Sequence, residues 1–282
     1  MTDQTVNIGI DVREGLYYVA RIHERAGRPE VRALARFGED HLGGHQLIQD
    51  GRLMLAVDDN QAIVKDLKIS DTARYDPHDL ATFELTHSLI EDPGEFWFRS
   101  FTTGIDDHFL GTAIRKEQVS LISRAFLPEE PEGRVDAVPR AIALGRGYLT
   151  YCHNTAGDFT CVIDLTERAV SICLVHKRNI VAVAGLVTSS AGEESQSEQV
   201  AAEIKTLVNL KLDETLRYGI STPLTGLVVA GSASDRLLED LEGLFNLEPA
   251  SPQVSSAFFP NRTDVSSAPL GKYLVALGLT TL

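Results

Sequence analysis

The chain has 282 residues, 43% hydrophobic and 23% charged, with a formal net charge of −14. It is long enough for one large domain or two coupled ones with a well-buried core, and its acidic balance argues against a nucleic-acid partner. No stretch reaches the roughly 18–20 apolar residues that span a bilayer, and the opening "MTDQTVNIG" has no basic region leading into an apolar one, so the expected location is the cytoplasm.

Residues 6–37 alternate with period two through "VNIGIDV", "LYYVARIHE" and "EVRALARFG", which predicts three successive strands in a meander. "RLMLAVDDNQAIVKDLKI" predicts two more strands, broken at Asp58, Asp59 and Asn60. "DPHDLATFELTHSLI" predicts a helix: Asp76 caps it, Pro77 suits its first turn, and Leu80, Phe83, Leu85 and Leu89 form its apolar face. "EFWFRSFTTG" and "HFLGTAIRK" read as strands. In the first, Phe96 and Phe98 fall on one face and Trp97 and Arg99 on the other, leaving one face as a contact surface. "KEQVSLISRAFL" reads as a helix ending near Pro128, "PEEPEG" as a surface turn and "AVPRAIALGRGYLTYC" as a helix.

The opening pattern then returns. "DFTCVIDLTERAVSICLVHKRNIVAVAGL" is again strand, turn, strand, strand, and laid on the first hairpin it puts Asp164 on Asp11 and Glu167 on Glu14. This is an internal repeat whose second copy starts near residue 158. Cys152, Cys161 and Cys173 form no CxxC pair and have no histidine at zinc-ligand spacing, so they are expected as buried, reduced thiols. "SSAGEESQSEQ" reads as a mobile polar loop. "EQVAAEIKTLVNLKL" reads as an amphipathic helix with Val200, Ile204, Leu207 and Val208 on one face. "LTGLVVAGSAS" is a buried strand running into a small-residue turn, "DRLLEDLEGLF" a helix, "SPQVSSAFFPNRTDVSS" a loop and "GKYLVALGLTTL" an apolar closing helix. No G-x-S-x-G or HExxH pattern occurs, and His78, His87 and His108 read as surface residues.

Two copies of a β-hairpin carrying an Asp, the first followed by a strand-helix-strand module, form a specific order. With "VKDLKI", "DAVPRAIALGRGYL", "LTGLVVAGSASDRLLEDL" and "LGKYLVALGL", the chain resembles the PilM family of type IV pilus assembly proteins. More distantly it is similar to the cell-division protein FtsA and the cytoplasmic part of the secretion protein GspL. The resemblance implies an α/β, actin-like (ribonuclease H-like) two-domain fold. Residues 1–157 would form the first half, with an inserted module at about 58–127, and 158–282 the second half, with a reduced lid subdomain.

In such proteins the hairpins wrap nucleotide phosphates, with backbone N–H groups exposed by glycine, a Ser or Thr hydroxyl, and an Asp of each hairpin on Mg²⁺. The resemblance therefore implies Asp11, Gly15, Asp164, Thr166, Gly231 and Ser232 as cofactor-binding positions, and Asp11 and Asp164 as metal ligands if Mg-ATP binds. Against this, the family's G-[ILV]-D-[IV]-G-S is matched only through Gly9, Ile10, Asp11 and Val12; Arg13 and Glu14 replace Gly and Ser, and Tyr18 stands where Lys is usual. In the second hairpin Thr166, Glu167 and Val170 replace Gly, a small residue and Thr, and the third motif is Ala230, Gly231, Ser232 and Ala233. Two readings of Asp11 and Asp164 stay open: metal and phosphate binding, or a turn role inherited with the fold. Gly231 is open in the same way, between a base contact and tight packing. The paired substitutions suggest that Arg13 and Arg168 pair with Glu167 and Glu14 across the cleft and replace Mg-ATP as the link between halves.

The function implied is that of a cytoplasmic scaffold of a type IV pilus or type II secretion-like assembly. It would bind the N-terminal cytoplasmic tail of an inner-membrane PilN-like protein, with no catalytic residues and no cofactor, peripheral to the membrane through that partner. The alternative is an actin-like protein that binds or weakly hydrolyses Mg-ATP. A small-molecule kinase is disfavoured, since no general base stands positioned for a sugar hydroxyl. Homo-oligomerisation is left open.

Overall fold

A computed structural model describes residues 6–25, 28–38, 45–48, 51–69, 76–124, 126–127, 135–152, 157–188, 196–259 and 270–282. The opening meander is strands β1 (Val6–Arg13), β2 (Leu16–Arg25) and β3 (Arg28–Gly38), followed by the short helix α1 (His45–Ile48) and strand β4 (Arg52–Val57). Strands β5 (Ala62–Lys68), β6 (Phe96–Thr102) and β7 (His108–Arg115) surround helix α2 (Pro77–His87), and helix α3 (Lys116–Arg124) leads on to β8 (Val135–Pro139). Helix α4 (Arg140–Tyr151) connects to the second meander, β9 (Phe159–Leu165), β10 (Ala169–His176) and β11 (Asn179–Val187). Helix α5 (Ser197–Leu216), strand β12 (Gly226–Gly231), helix α6 (Asp235–Phe245), the short β13 (Pro249–Ala250) and helix α7 (Leu274–Leu279) complete the chain.

The repeat seen in the sequence is a repeat of topology. The first sheet runs β3-β2-β1-β4-β8 and the second β11-β10-β9-β12-β13. In each, the hairpin strands pair antiparallel and the remaining two strands join parallel. A third sheet, β5-β7-β6, carries α2 on one face through Ala81 and Leu85. Its other face meets the body of the molecule, with Phe101 and Leu110 in one apolar cluster and Ile114 in another.

Alternation along the strands sets the layers. Ile8 and Ile10 of β1 face a core shared with α3, and Cys161, Ile163 and Leu165 of β9 face a core shared with α5 and α6. The opposite faces enclose α4 and α7, which are apolar nearly all round because they are buried between sheets. The two helices touch backbone to backbone. A Cβ at Gly278 would lie 1.8 Å from the carbonyl oxygen of Ala143, and one at Gly147 would lie 2.1 Å from that of Leu274.

Several local expectations change. The stretch "AVP", read as the start of a helix, belongs to β8; five mostly apolar residues cannot be assigned to strand or helix by periodicity alone. Phe83 is exposed rather than on the buried face of α2, which consists of Ala81 and Leu85 with Leu80 and Leu89 partly covered; Asp76 caps the helix as expected, accepting from the His78 N–H at 2.7 Å. Arg99 turns inward to pair with Asp136, so that face of β6 is not left open. The turn "PEEPEG" and most of the polar run, 189–195, lie outside the described residues. Among the described residues no helix is long and apolar enough to cross a membrane.

One polar contact ties the sheets through the turn after β4. The Asp59 carboxylate accepts from the Ala141 N–H at the start of α4 (2.9 Å) and from the Ser171 hydroxyl on β10 (2.6 Å). Gly185 on β11 leaves room for it, since a Cβ there would stand 2.3 Å from Asp59 Cβ. Burial pushes the Asp59 carboxyl up to about 7, against the two hydrogen bonds and Arg140, with Asp58 adding to the rise.

Two stability tests follow from this packing. Gly278→Ala should destabilise by about 1–3 kcal/mol or more, because backbone cannot yield as a side chain can. Gly243→Ala, in α6 with nothing within 4 Å of its Cβ, should stabilise by about 0.5–1 kcal/mol; denaturant unfolding reads both. For Asp59 the folded-state value lies above the unfolded 3.8, so the neutral carboxyl favours folding. Its contribution is full at low pH and falls by about 1.4 kcal/mol per pH unit from about pH 4 to about pH 7. Asp59→Asn removes the titration while Oδ1 can still accept the Ala141 N–H and Nδ2 donate to the Ser171 hydroxyl, the reverse of the native bond, so the stability difference between the two proteins should change over that window and level off above it.

Candidate functional site

The site lies where the tips of the two hairpins meet. In β1, Gly9, Asp11 and Arg13 share the face turned toward α7 and the second sheet. Gly9 is there because a Cβ would stand 1.9 Å from the Ala276 carbonyl oxygen. Asp11 pairs across the hairpin with Tyr18, and in β9 Asp164 pairs with Ser171, so the two aspartates occupy matching positions of the repeat. The first tip is a two-residue loop, Glu14 and Gly15, with φ of 53° and 72°. Both residues are left-handed, as a type I′ turn requires, and Gly15 meets that requirement without strain. The second tip is longer, 166–168, and Thr166 folds it: its hydroxyl donates to the Ala169 carbonyl (3.1 Å) and accepts the Ala169 N–H (3.0 Å).

Asp11 and Asp164 are both fully buried, and the Arg13 guanidinium lies between them. Its Nε donates to Asp11 Oδ2, and its Nη1 donates to Asp164 Oδ1 at 3.0 Å. The guanidinium also stands over the Tyr18 ring, 5.4 Å from its centre. A second arginine extends the chain of charges. Arg140, the first residue of α4, puts Nη1 3.1 Å from Asp11 Oδ1 and Nη2 2.9 Å from Asp58 Oδ1, and donates to the Val12 carbonyl at 2.8 Å. The order Asp164–Arg13–Asp11–Arg140–Asp58 alternates in sign throughout.

Alternation is what makes this burial tolerable, since a buried charge without a partner costs several kcal/mol. Burial opposes the charge on Arg13, but Asp11 and Asp164 outweigh it and hold the guanidinium above its ordinary value. Asp164 is raised, chiefly by burial and also by Asp11, while Arg13 and Arg140 pull it down. Five buried atoms of this charge chain, Asp11 Oδ1, Asp164 Oδ2, Arg13 Nη2, Arg140 Nε and Arg140 Nη1, make no hydrogen bond among the described residues, although Asp11 Oδ1 and Arg140 Nη1 stand 3.1 Å apart as an ion pair.

This is not the pairing expected across the cleft. Arg13 does link the two hairpins, but through Asp11 and Asp164 and not through Glu167. Glu14 does reach the second hairpin, but its carboxylate accepts the backbone N–H of Glu167, and no ion pair joins it to Arg168. Residues two apart on a strand share a face, so Arg13 was in reach of Asp11 from the start. Arg140, Asp58 and Asp59 were missed. An arginine heading a mostly apolar helix, which also carries Arg146, was the available signal for Arg140.

The residues present do not fit Mg²⁺ with a polyphosphate. A divalent cation shared by Asp11 and Asp164 would need both carboxylates at about 2.1 Å, in the space that the Arg13 guanidinium takes by donating to each. The Thr166 hydroxyl is spent within its own turn, and the exposed Glu167 N–H is covered by Glu14. Glu14, Glu167 and Asp58 line the cavity of about 470 Å³ at the tips together with Arg13, Arg140 and Arg168. Gly231, at φ 82°, is required by packing: a Cβ would stand 2.1 Å from the Leu165 carbonyl oxygen, which also accepts the Ser232 N–H at 2.9 Å. Ala230 and Gly231 do border a separate cavity of about 410 Å³ with Pro252 and Lys272. Among the described residues no group of three or more His, Cys, Asp or Glu side chains is placed to hold a metal. Cys152, Cys161 and Cys173 are free thiols; burial pushes Cys152 and Cys161 up to about 12 and raises Cys173 as well.

By sequence the chain matches no protein-family model and no curated protein. Its fold is nonetheless that of solved structures over nearly the whole length. The PilM-PilN type IV pilus biogenesis complex contains a chain that superposes with a TM-score of 0.59 at 15% identity, over 98% of this chain and 97% of that one. The cytoplasmic domain of EpsL, an inner membrane component of the type II secretion system of Vibrio cholerae, gives 0.51 at 8% identity, over 99% and 96%. A Bacteroides thetaiotaomicron protein with an actin-like ATPase fold and unknown function gives 0.51 at 10%, over 97% and 98%. The chain has the actin-like ATPase fold.

Proposed function

We propose that this chain is a cytoplasmic, PilM-like scaffold of a type IV pilus or type II secretion-like assembly, and that it neither requires nor hydrolyses ATP. Its partner is the N-terminal cytoplasmic tail of an inner-membrane PilN-like protein, held as an extended segment by backbone and pocket contacts. Through that tail the scaffold is recruited to the membrane surface. The observation that carries the reading is Arg13 seated between Asp11 and Asp164, where a nucleotide-dependent relative would need its metal. The likeness to the PilM-PilN complex and to the EpsL cytoplasmic domain supports the choice of machine. The 1–157 and 158–282 halves act as one body in this role, joined by the charge chain and by α4 and α7.

Calorimetric titration of the purified chain tests this directly. Mg-ATP at millimolar concentration should give neither heat nor thermal stabilisation, whereas a synthetic PilN-like tail peptide from the same cell should bind in the micromolar range. Micromolar Mg-ATP binding that weakens in Asp11→Ala or Asp164→Ala would overturn the reading in favour of a working ATPase cleft.

A further inference from the structure

We infer that the dipeptide Arg13–Glu14 is a built-in substitute for a metal–phosphate ligand, so that the cleft is occupied by the chain itself at all times. This deepens the scaffold reading and rests on it. The two adjacent residues bring opposite charges to two different acceptors on the other hairpin. Arg13 presents a cation to the two buried carboxylates. Glu14 presents an anion to a backbone N–H, that of Glu167, at 2.5 Å. A phosphate-bound metal would offer the same two charges to the same two kinds of group.

The turn geometry makes this division possible. Arg13 closes β1, so its side chain falls on the Asp11 face, and Glu14 at φ 53° turns away from that face toward the second tip. The substitute satisfies the site incompletely. Arg13 uses one oxygen of each carboxylate; Asp11 Oδ1 is met by Arg140, and buried Asp164 Oδ2 has no hydrogen-bond partner. Two buried carboxylates in one pocket cannot both stay ionised without a cation between them. Without the guanidinium only Arg140, beside Asp11, still faces the pair, so Asp164 is left to take up a proton or another cation, and Mg²⁺ or Mn²⁺ held by two carboxylates and water fits that need.

Thermal unfolding of Arg13→Ala beside the wild type, with and without millimolar Mg²⁺ or Mn²⁺, tests the inference. Wild type should not respond to either ion. Arg13→Ala should melt several degrees lower and recover more than half of the loss with either divalent ion, but not with K⁺ at equal ionic strength. The double variant Arg13→Gly with Glu14→Ser should respond further to added pyrophosphate. A folded Arg13→Ala protein that ignores divalent ions overturns the inference while leaving the scaffold reading intact. A wild-type chain stabilised by Mg-ATP overturns both. Should Arg13→Ala fail to fold, Glu14→Ala carries the test, because Glu14 is exposed. Hydrogen exchange at the Glu167 amide should then rise at least about tenfold on loss of one charge-assisted hydrogen bond, with β10 amides unchanged; an unchanged Glu167 rate would count against the inference.

Discussion

The Arg13 guanidinium between Asp11 and Asp164 is the constraint around which the cleft is organised. Two carboxylates with no solvent exposure repel by about 4 kcal/mol at 4 Å in an effective dielectric of about 20. A cation between them, or a proton on one of them, removes that repulsion. Here the cation is a side chain two residues from one of the aspartates.

A single strand face encodes most of this arrangement. Gly9, Asp11 and Arg13 follow one another at period two on β1. The first admits the backbone of α7, the second supplies the buried charge, and the third answers it. The I′ turn at Glu14 and Gly15 then fixes where the next charge emerges. Arginine suits the position better than lysine would, since its planar fork donates in two directions at once, to Asp11 through Nε and to Asp164 through Nη1.

The parts of the fold that rest on local pattern were legible. The two meanders, the match of Asp164 to Asp11, the Asp76 cap and the amphipathic α5 all follow from periodicity and capping chemistry. What escaped was tertiary. The expected Arg13–Glu167 pair rests on the paired substitutions in the two hairpins, yet a side chain's partner depends on the face it points from, and Arg13 points from the Asp11 face. Arg140 could be read as the polar end of a helix until β8 and α4 put it over the same carboxylate. Asp58 and Asp59 looked like a strand break, which they are. Nothing in the spacing said that one would pair with Arg140 and the other would reach Ser171 on the second sheet.

A buried ion chain is weak evidence for stability, because well-packed apolar residues of similar volume often do as well or better. The attraction between the sheets has another source: the apolar layer of α4 and α7, with Met54, Ala56, Val162 and Val228 against it. That layer already interlocks, since α4 and α7 touch backbone to backbone at Gly147 and Gly278. Alternating charges are directional. Asp164–Arg13–Asp11–Arg140–Asp58 closes only when both hairpins and the start of α4 stand in register, and any slip exposes a buried charge to a like one. The apolar layer thus supplies the cohesion, and the charge chain adds directional contacts to the interlocking of α4 and α7.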